Sequence, residues 1–378
     1  MRKTKKLLFL LTIIIVGGLS GIAANRYIFP YLSTTKLFAK YHFLKKSTED
    51  VTIINKTEQI YVKDDTSINK IASQAESSVV NIISYAIVEK KGASAAIKNG
   101  TGLIVTSDGL IITYRSAIIA ENAKYKIISS DKNIYDATLL EIDSYSNLAF
   151  LKINAGNLPA ASFANSDEAK PGEKIVAIGN GSGEYASSFS AGILSNFNSD
   201  FNLSEKIIAS SEKLEGVFES DIFLRENYIG GPVVDYAGQI IGITGMVLRD
   251  NQKSFFQIPS NKIKSVIDKE IRKELDKNCA LGVYHLPITN TYALINNLPV
   301  AAGALIYSPS EQQGLAIIAN SPAANAGLKI NDIIVAVSNE KIDSKNTLPD
   351  LLFKHKKGEE IELTILRSGQ EIKIKVRL

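Results

Sequence analysis

The stretch Gly100-Thr101-Gly102-Leu103-Ile104-Val105-Thr106-Ser107-Asp108-Gly109-Leu110-Ile111-Ile112-Thr113 holds two apolar runs separated by the triplet Ser107-Asp108-Gly109. Glycine adopts a positive φ without steric cost, so the triplet predicts a tight turn between two antiparallel strands. Short apolar runs bounded by turn residues recur between residues 78 and 250, which is typical of an all-β barrel or sandwich. Their number fits two six-stranded halves, with strands predicted at 102–106, 110–114, 125–129, 134–142, 148–153, 174–178, 188–194, 206–209, 232–235 and 239–245.

A helix is predicted directly after these strands. Ser260 is a residue type that favours the N-cap of a helix. The apolar residues that follow it fall on one helical face: Ile263, Val266, Ile267, Ile271 and Leu275. Such a helix would close the domain, so the predicted barrel domain covers residues 67–278.

The first residues of the chain predict a transmembrane helix. Residues 7–24 form an uncharged, mostly apolar run. As a helix this run is roughly 27 Å long, close to the ~30 Å hydrocarbon core of a bilayer. The residues before it are basic: Arg2, Lys3, Lys5 and Lys6. This charge predicts a cytoplasmic N-terminus, so residues 1–31 would be a cytoplasmic tip and an uncleaved, single-pass anchor in the cell membrane.

The remaining chain is then expected outside the cytoplasm. Residues 32–66 carry mixed charge without a sustained period, so they are interpreted as a linker. A cleaved signal peptide is the alternative to the anchor, because Gly21 and Ala23 form a small-x-small pair. The apolar region of a signal peptide is usually only ~7–15 residues long, which favours the anchor.

Composition and cysteine count exclude several function classes. The formal net charge is +4 and the signs are interspersed beyond the N-terminus, so no nucleic-acid partner is predicted. Cys279 is the single cysteine, which excludes an intramolecular disulfide and a cysteine-based zinc cluster. No group of His, Cys and carboxylate residues has the spacing of a metal site, so neither a metal nor a cofactor is predicted.

Several short motifs resemble one family in their order and spacing. They are GTGLIV at 100–105, DGLIIT at 108–113, NLAFLKI at 147–153, SD at 220–221, GGPVV at 230–234 and FQIPSN at 256–261. Over residues 67–378 the chain resembles the membrane-anchored HtrA (Deg) serine proteases. The resemblance implies a mainly β protein, in which a trypsin-like double six-stranded β-barrel precedes an α+β PDZ domain at 279–378.

The resemblance places residues of other chemistry at the family's catalytic positions. The histidine position falls on Ser116, the aspartate position on Asn147 and the serine position on Ile229. Residues 78–259 contain no histidine, and Glu226-Asn227-Tyr228 replaces the small residues that normally shape the oxyanion hole. An unassisted serine is a weak nucleophile near neutral pH. The resemblance therefore implies a degenerate site, and the chain is predicted not to be an enzyme.

The alternative to a loss of activity is hydrolysis that uses an unconventional nucleophile. A Ser-Lys dyad would need a desolvated lysine beside a serine such as Ser116, Ser190 or Ser211. The spacing points to no such lysine, so an ordinary loop hydroxyl is the preferred interpretation of each serine. The alternative function is an active envelope serine endopeptidase of HtrA type.

The most specific motif in the chain lies in the second domain. Residues 321–329 followed by 331–337 predict a short helix, a turn and a strand, as in the PDZ domains of the family. Residues 348–353 would form a second helix. The stretches 360–367 and 371–377 alternate polar and apolar residues as a terminal hairpin.

PDZ domains add a peptide to a sheet edge and hold its terminal carboxylate with backbone N–H groups. In the matching loop, Gly282 would let the ligand backbone approach, while apolar neighbours and a helix would line a pocket. The predicted peptide-binding residues are Leu281, Gly282, Val283, Leu348, Leu351 and Leu352. The alternative is that the apolar members of this set are simply core.

The preferred function is a membrane-anchored pseudoprotease that acts as an extracytoplasmic peptide-binding scaffold or quality-control adaptor. Its expected partners are peptide or protein C-termini and unfolded segments. Because HtrA barrels commonly trimerise, a homo- or hetero-trimer is also expected. A further interpretation is an assembly partner that joins active relatives in a mixed oligomer.

Overall fold

A computed structural model of the chain describes residues 2–28, 31–32, 71, 74–87, 96–180, 187–204, 208–249, 251–308 and 316–378. The chain divides into two compact units, Met1–Val62 and Lys63–Leu378. The predicted linker at 32–66 falls, apart from Leu32, outside the described residues.

The N-terminal unit contains a long helix. α1 (Arg2–Ala23) continues into a π-helical turn at Ala24–Ile28. The segment Lys5–Ile28 has 24 residues and a mean hydropathy of 2.5, and none of it is buried. The hydroxyl of Thr12 donates to the carbonyl of Phe9 at 2.8 Å, so this polar group is paired inside the helix. The predicted apolar helix is confirmed, and its length and position suit a membrane anchor and a signal sequence equally.

The second unit contains two closed β-barrels of six strands each. The first is formed by β1 (Val79–Ala86), β2 (Ile97–Ile104), β3 (Leu110–Tyr114), β4 (Ala123–Ile128), β5 (Ile134–Ile142) and β6 (Leu148–Ile153), in the order β1-β2-β3-β6-β5-β4. The second is formed by β7 (Lys174–Asn180), β8 (Ser187–Asn202), β10 (Glu215–Ser220), β11 (Pro232–Asp235), β12 (Ile240–Arg249) and β13 (Gln252–Pro259), in the order β10-β13-β12-β11-β7-β8. β9 (Ala209–Ser210) belongs to neither barrel. The predicted double barrel is confirmed.

The GTGLIV and DGLIIT motifs form the hairpin that their sequence predicts. Leu103 pairs with Ile112 across β2 and β3, and Gly109 has a φ of 94°. A Cβ atom at Gly109 would lie 2.7 Å from Ile153 Cγ1, so a larger residue would displace the end of β6. Every residue of β3 is buried, which explains why this strand is apolar without alternation.

The two barrels meet along a seam at Thr101 and Gly230. Thr101 Oγ1 accepts a hydrogen bond from Asn180 N and donates one to Asn227 O, both at 2.8 Å. Gly230 has a φ of 81°, and a Cβ atom there would lie 2.1 Å from Thr113 Oγ1. The backbones of the two barrels therefore approach so closely that the seam has no room for a side chain at residue 230.

The predicted closing helix is α2 (Ser260–Ile271), although its N-cap differs from the prediction. Pro259 stands at the N-cap, so the prediction of a Ser260 cap is wrong. The Ser260 hydroxyl is buried and donates to Ala164 O at 2.8 Å instead. Ile271 is 55% exposed. The other residues of the predicted face pack in one apolar cluster with both barrels: Ile263, Val266, Ile267 and Leu275.

The prediction of a barrel strand at 206–209 is wrong. Residues 206–207 lie outside the described residues, and Ala209 belongs to β9, which pairs with a strand of the second domain. β10 takes the barrel position between β8 and β13. Gly216 in β10 has a φ of 74°, and the register of the β10–β8 ladder shifts beside it. This bulge interrupts the alternating pattern by which a strand is recognised.

The described residues of the second domain form a sheet with three short helices. The sheet order is β19-β18-β16-β15-β14-β9, with β17 paired to β16. The strands are β14 (Tyr284–Ile288), β15 (Gly303–Ile306), β16 (Ile333–Val337), β17 (Glu340–Lys341), β18 (Glu360–Arg367) and β19 (Gln370–Arg377). The helices are α3 (Asn290–Ile295), α4 (Pro322–Asn325) and α5 (Leu348–Phe353).

The predicted elements of this domain are confirmed. α4 follows an N-cap at Ser321, whose hydroxyl accepts from Ala324 N at 3.2 Å. α5 spans the predicted residues. The terminal hairpin turns at Ser368 and Gly369, which have φ values of 52° and 80°, as a two-residue type I′ turn requires.

Gly230→Ala should destabilise the protein. The added Cβ would meet Thr113 Oγ1 at 2.1 Å and Thr101 O at 2.3 Å, and alanine is strained at this positive φ. We expect urea denaturation of the 63–378 unit to show a loss of about 2 kcal/mol or more in the free energy of unfolding. Gly156→Ala is the matched control, because a Cβ there has no neighbour within 4 Å. Equal losses for the two variants would contradict the close approach at the seam.

Candidate functional site

The residues that the resemblance assigns to the triad positions lie beside the seam between the barrels. Ser116 is in a 3-10 turn after β3, and Asn147 directly precedes β6. Arg115 N donates to Asn147 O at 2.8 Å, which joins these two segments. Ile229 follows a 3-10 turn of the second barrel, and its carbonyl accepts from Thr101 N at 3.3 Å. The fold thus brings the three segments to one region.

The three side chains have different surroundings. Ser116 Oγ is buried and has no hydrogen-bond partner among the described residues. The side-chain amide of Asn147 lies 3.4 Å from Tyr114 OH and 3.5 Å from Lys213 Nζ. Ile229 is 2% exposed and packs in the apolar cluster shared by the barrels. These positions offer a hydroxyl, an amide and an alkyl group, none of which is a general base at neutral pH.

Backbone donors around Ile229 are used within the fold. Ile229 N donates to Glu226 O at 3.1 Å, and Gly230 N donates to Thr244 O at 2.8 Å. An oxyanion hole needs N–H groups that are directed at the reacting oxygen. Because each of these two amides already has an internal acceptor, neither is available to an oxyanion in this conformation.

The predicted peptide-binding residues come together in the second domain. The apolar members are each at most 2% exposed and pack in one core cluster: Leu281, Val283, Leu348, Leu351 and Leu352. Their burial agrees with the core interpretation of these side chains. Gly282 has a φ of 79°, and a Cβ atom there would lie 2.3 Å from Ser321 Cβ. The packing of its neighbours therefore fixes the loop. Its backbone, rather than its side chains, is available to bind a ligand.

Two consecutive backbone amides of this loop hold oxygen acceptors. Gly282 N donates to Glu212 Oε1 at 2.8 Å. Val283 N donates to Ser211 Oγ at 3.2 Å. Converging N–H groups of this kind form a small anion-binding concavity. The loop can therefore bind a carboxylate, and the carboxylate that it binds in this structure belongs to the chain itself.

β9 pairs with the edge of the sheet next to this loop. It runs antiparallel to β14, with Ser210 opposite Tyr284 and Ala209 opposite His285. Sequence reasoning missed this contact. A two-residue strand shows no hydrophobic period, and a contact between segments so far apart in the chain leaves no local signal.

A buried polar pair lies beside β9. His285 Nε2 is 2.8 Å from Glu215 Oε1, and the two side chains are 0% and 2% exposed. A cavity of about 440 Å³ is lined by this pair, by Pro287 of β14 and by Leu348 of α5. Sequence reasoning did not single out His285, because only the fold brings its partner on β10 beside it.

A buried ion pair joins α5 to the closing helix α2. Lys262 Nζ lies 2.6 Å from Asp350 Oδ2, with side chains 10% and 13% exposed. Tyr145 OH donates to Asp350 Oδ1, and burial raises the pKa of Tyr145 well above its usual range. Tyr145 also stacks on Phe353, with ring centroids 4.3 Å apart. The second domain is therefore held against the barrels through α5 as well as through β14.

Comparison with known protein families identifies both domains. A trypsin-like peptidase domain matches residues 100–243, and a PDZ domain matches residues 288–378. A probable periplasmic serine endoprotease DegP-like of Chlamydia pneumoniae is 29% identical over 291 residues, which cover 76% of this chain and 56% of that protein. The serine protease Do-like HtrA of Lactobacillus helveticus is 27% identical over 304 residues, which cover 76% and 70%. The chain thus spans little more than half the length of the DegP-like relative.

Solved structures show the same architecture. The HtrA-type protease AlgW with a tripeptide has a TM-score of 0.62 at 22% identity, over 82% of this chain and 95% of that one. The decapeptide complex of AlgW has a TM-score of 0.59 at 21% identity, over 82% and 97%. Identities this low show the fold alone. With the two family matches, they confirm the resemblance to HtrA-type proteases, as a trypsin-like peptidase domain followed by a PDZ domain.

The prediction that the chain is not an enzyme is contradicted by its relatives. They are named serine endoproteases, which points to a protease. The prediction inferred the absence of activity directly from the residue types at Ser116, Asn147 and Ile229. That step is too strong, because missing triad residues exclude one mechanism and do not exclude hydrolysis by another group.

The thiol of Cys279 should react slowly in the folded protein. Burial raises its pKa from 9.0 to about 11, and its Sγ lies 3.2 Å from Leu352 O. Because the folded state holds the proton more tightly, this group contributes stability below pH 9 that is lost as the pH rises through about 11. We expect iodoacetamide at pH 8 to modify Cys279 about 100-fold more slowly in the native protein than in urea. Equal rates in the two states would contradict this burial.

Proposed function

We propose that this chain is a membrane-anchored, HtrA-like protein that binds peptide C-termini outside the cytoplasm, in the groove along β14. The observation that carries the proposal is the pair of amides at Gly282 and Val283, which hold oxygen acceptors at 2.8 and 3.2 Å. PDZ domains recognise a terminal carboxylate with N–H groups of this kind beside a sheet edge. The AlgW structures with a tripeptide and a decapeptide support the proposal, because that protein shares the fold.

Main-chain pairing with β14 would give affinity that does not depend on the ligand's side chains. The protein would therefore accept unfolded segments with apolar C-termini and act as a scaffold or quality-control adaptor, alone or in a homo- or hetero-trimer. We assign α1 as an uncleaved anchor with a cytoplasmic N-terminus. The names of the DegP-like relatives, which are periplasmic, support an extracytoplasmic location for the second unit.

In this proposal the catalytic triad is replaced at Ser116, Asn147 and Ile229. A second candidate function is an envelope endopeptidase that uses an unconventional nucleophile, and the names of the relatives favour it. The candidate serines differ in their surroundings. Ser211 Oγ accepts from Val283 N and donates to Glu212, so it is engaged in the groove. Ser116 Oγ is buried in the barrel without a hydrogen-bond partner among the described residues.

Peptide binding should depend on a free terminal carboxylate. We expect the full-length protein in detergent to bind a fluorescein-labelled pool of decapeptides ending in leucine. It should bind the amidated pool about tenfold more weakly, because a hydrogen bond to a charged group contributes about 1.5–3 kcal/mol. Fluorescence anisotropy measures both affinities, and equal values would refute the carboxylate assignment. Gly282 is unsuitable for this test, because any Cβ there would collide with Ser321.

A fluorophosphonate probe distinguishes the second candidate from the first. An unconventional serine nucleophile would be labelled at one residue, and its Ser→Ala variant would lose both the label and casein cleavage. Ile229→Val keeps a buried alkyl group, so it should change neither readout, since this side chain has no nucleophilic atom. Labelling spread over exposed serines in proportion to their exposure would reject the second candidate.

A further inference from the structure

We infer that residues 209–212 are an intramolecular ligand of the peptide groove. In this arrangement the side-chain carboxylate of Glu212 takes the place of a peptide's terminal carboxylate, so an external peptide binds by displacing this segment. The inference rests on the proposed function, because it concerns the regulation of the same groove. Its evidence is main-chain pairing along β14, a carboxylate at the Gly282 amide with a hydroxyl at the Val283 amide, and the small size of the segment.

The main chain of the segment follows the path of a bound peptide. Ala209 and Ser210 pair antiparallel with His285 and Tyr284, and Ser211 N then donates to Val283 O at 3.0 Å. The segment therefore approaches the loop at Gly282 residue by residue along the edge of β14. An extended peptide added to a sheet edge makes main-chain hydrogen bonds in the same way.

The carboxylate of Glu212 is bound by one backbone amide of the loop and by two serine hydroxyls of its own segment. Its Oε1 accepts from Gly282 N at 2.8 Å and from Ser211 Oγ at 2.6 Å, and its Oε2 accepts from Ser210 Oγ at 2.7 Å. The chain continues beyond it, because Lys213 N donates to Ser210 O at 3.1 Å and closes a turn. A side-chain carboxylate thus reaches the loop at the point where a free peptide would end.

The size of the segment suits a ligand that can be displaced. β9 has only two residues, and its neighbours toward the loop are Ser211 and Glu212, so the ladder that joins the segment to β14 is short. The segment is nevertheless always present at the groove, because it is covalently attached to the barrel on both sides. An attached ligand competes at a high effective concentration even when its intrinsic affinity is low.

This arrangement lowers the apparent affinity for external peptides. When only a fraction of molecules has an open groove, the measured dissociation constant is the intrinsic constant divided by that fraction. A change that weakens the internal ligand without altering the loop should therefore tighten the binding of an external peptide. Glu212→Gln is such a change, because it removes the negative charge and keeps the size of the side chain.

The test compares wild-type protein, Glu212→Gln and the control Glu121→Gln, each full-length in detergent. Glu121 is exposed in the segment before β4 of the first barrel, so its variant removes an equal charge that takes no part in the groove contacts. We expect Glu212→Gln to bind the free-carboxylate decapeptide pool about tenfold more tightly than wild type, the factor that one charge-assisted hydrogen bond provides. The control should match wild type. Unchanged or weaker binding by Glu212→Gln would overturn the inference.

Hydrogen exchange measured by mass spectrometry tests the internal ligand without any peptide. Glu212→Gln should raise deuterium uptake at residues 209–211 and 283–285 relative to wild type and the control, because both sides of the ladder open together. Unchanged uptake would overturn the inference even if every variant binds peptide. Absence of peptide binding by all variants, together with raised uptake in Glu212→Gln, would instead refute the proposed function and retain the internal ligand.

Discussion

The edge of β14, which no strand of the second domain itself covers, is the constraint on which that domain depends. Buried backbone N–H and C=O groups need partners, and an open sheet edge invites any extended chain that can supply them. The barrel supplies Ala209 and Ser210 as those partners. The two domains are therefore joined by a shared β-ladder as well as by the Lys262–Asp350 ion pair. The same edge is the groove that we assign to peptides, so domain packing and ligand binding use one set of backbone groups.

At the seam between the barrels, the residues that the fold needs for packing differ from the residues that catalysis would need. Thr101 and Gly230 belong to motifs that carry the resemblance to HtrA-type proteases, and both have steric or hydrogen-bonding roles at the seam. Neither role needs a catalytic side chain nearby. The barrels close around a buried Ile229, and this isoleucine adds apolar contact to the shared cluster. The packing at the seam therefore does not require a polar side chain at residue 229.

Much of the architecture was predictable from the sequence, because it is encoded in local chemistry. Gly109 determines a tight turn, and the pair Ser368 and Gly369 determines the last hairpin. β10 was missed because Gly216 bends it and interrupts its alternation. β9 was assigned to the wrong sheet because its identity depends on a partner strand in another domain. The candidate groove was located by its glycine, whereas its occupant, Glu212, was not found, because only the folded chain brings that carboxylate to Gly282.

The β9–β14 ladder also determines where this protein can be cut into parts. An excised fragment of residues 279–378 would lack Ala209 and Ser210. The backbone N–H and C=O groups along the edge of its β14 would then have no partner strand. Such a fragment would tend to pair with a second copy of itself through that edge. The domain boundary read along the chain therefore cuts through a β-ladder that completes the edge of the sheet. A protein engineer who excises the second domain must therefore cover this edge, either with the barrel segment or with a bound peptide.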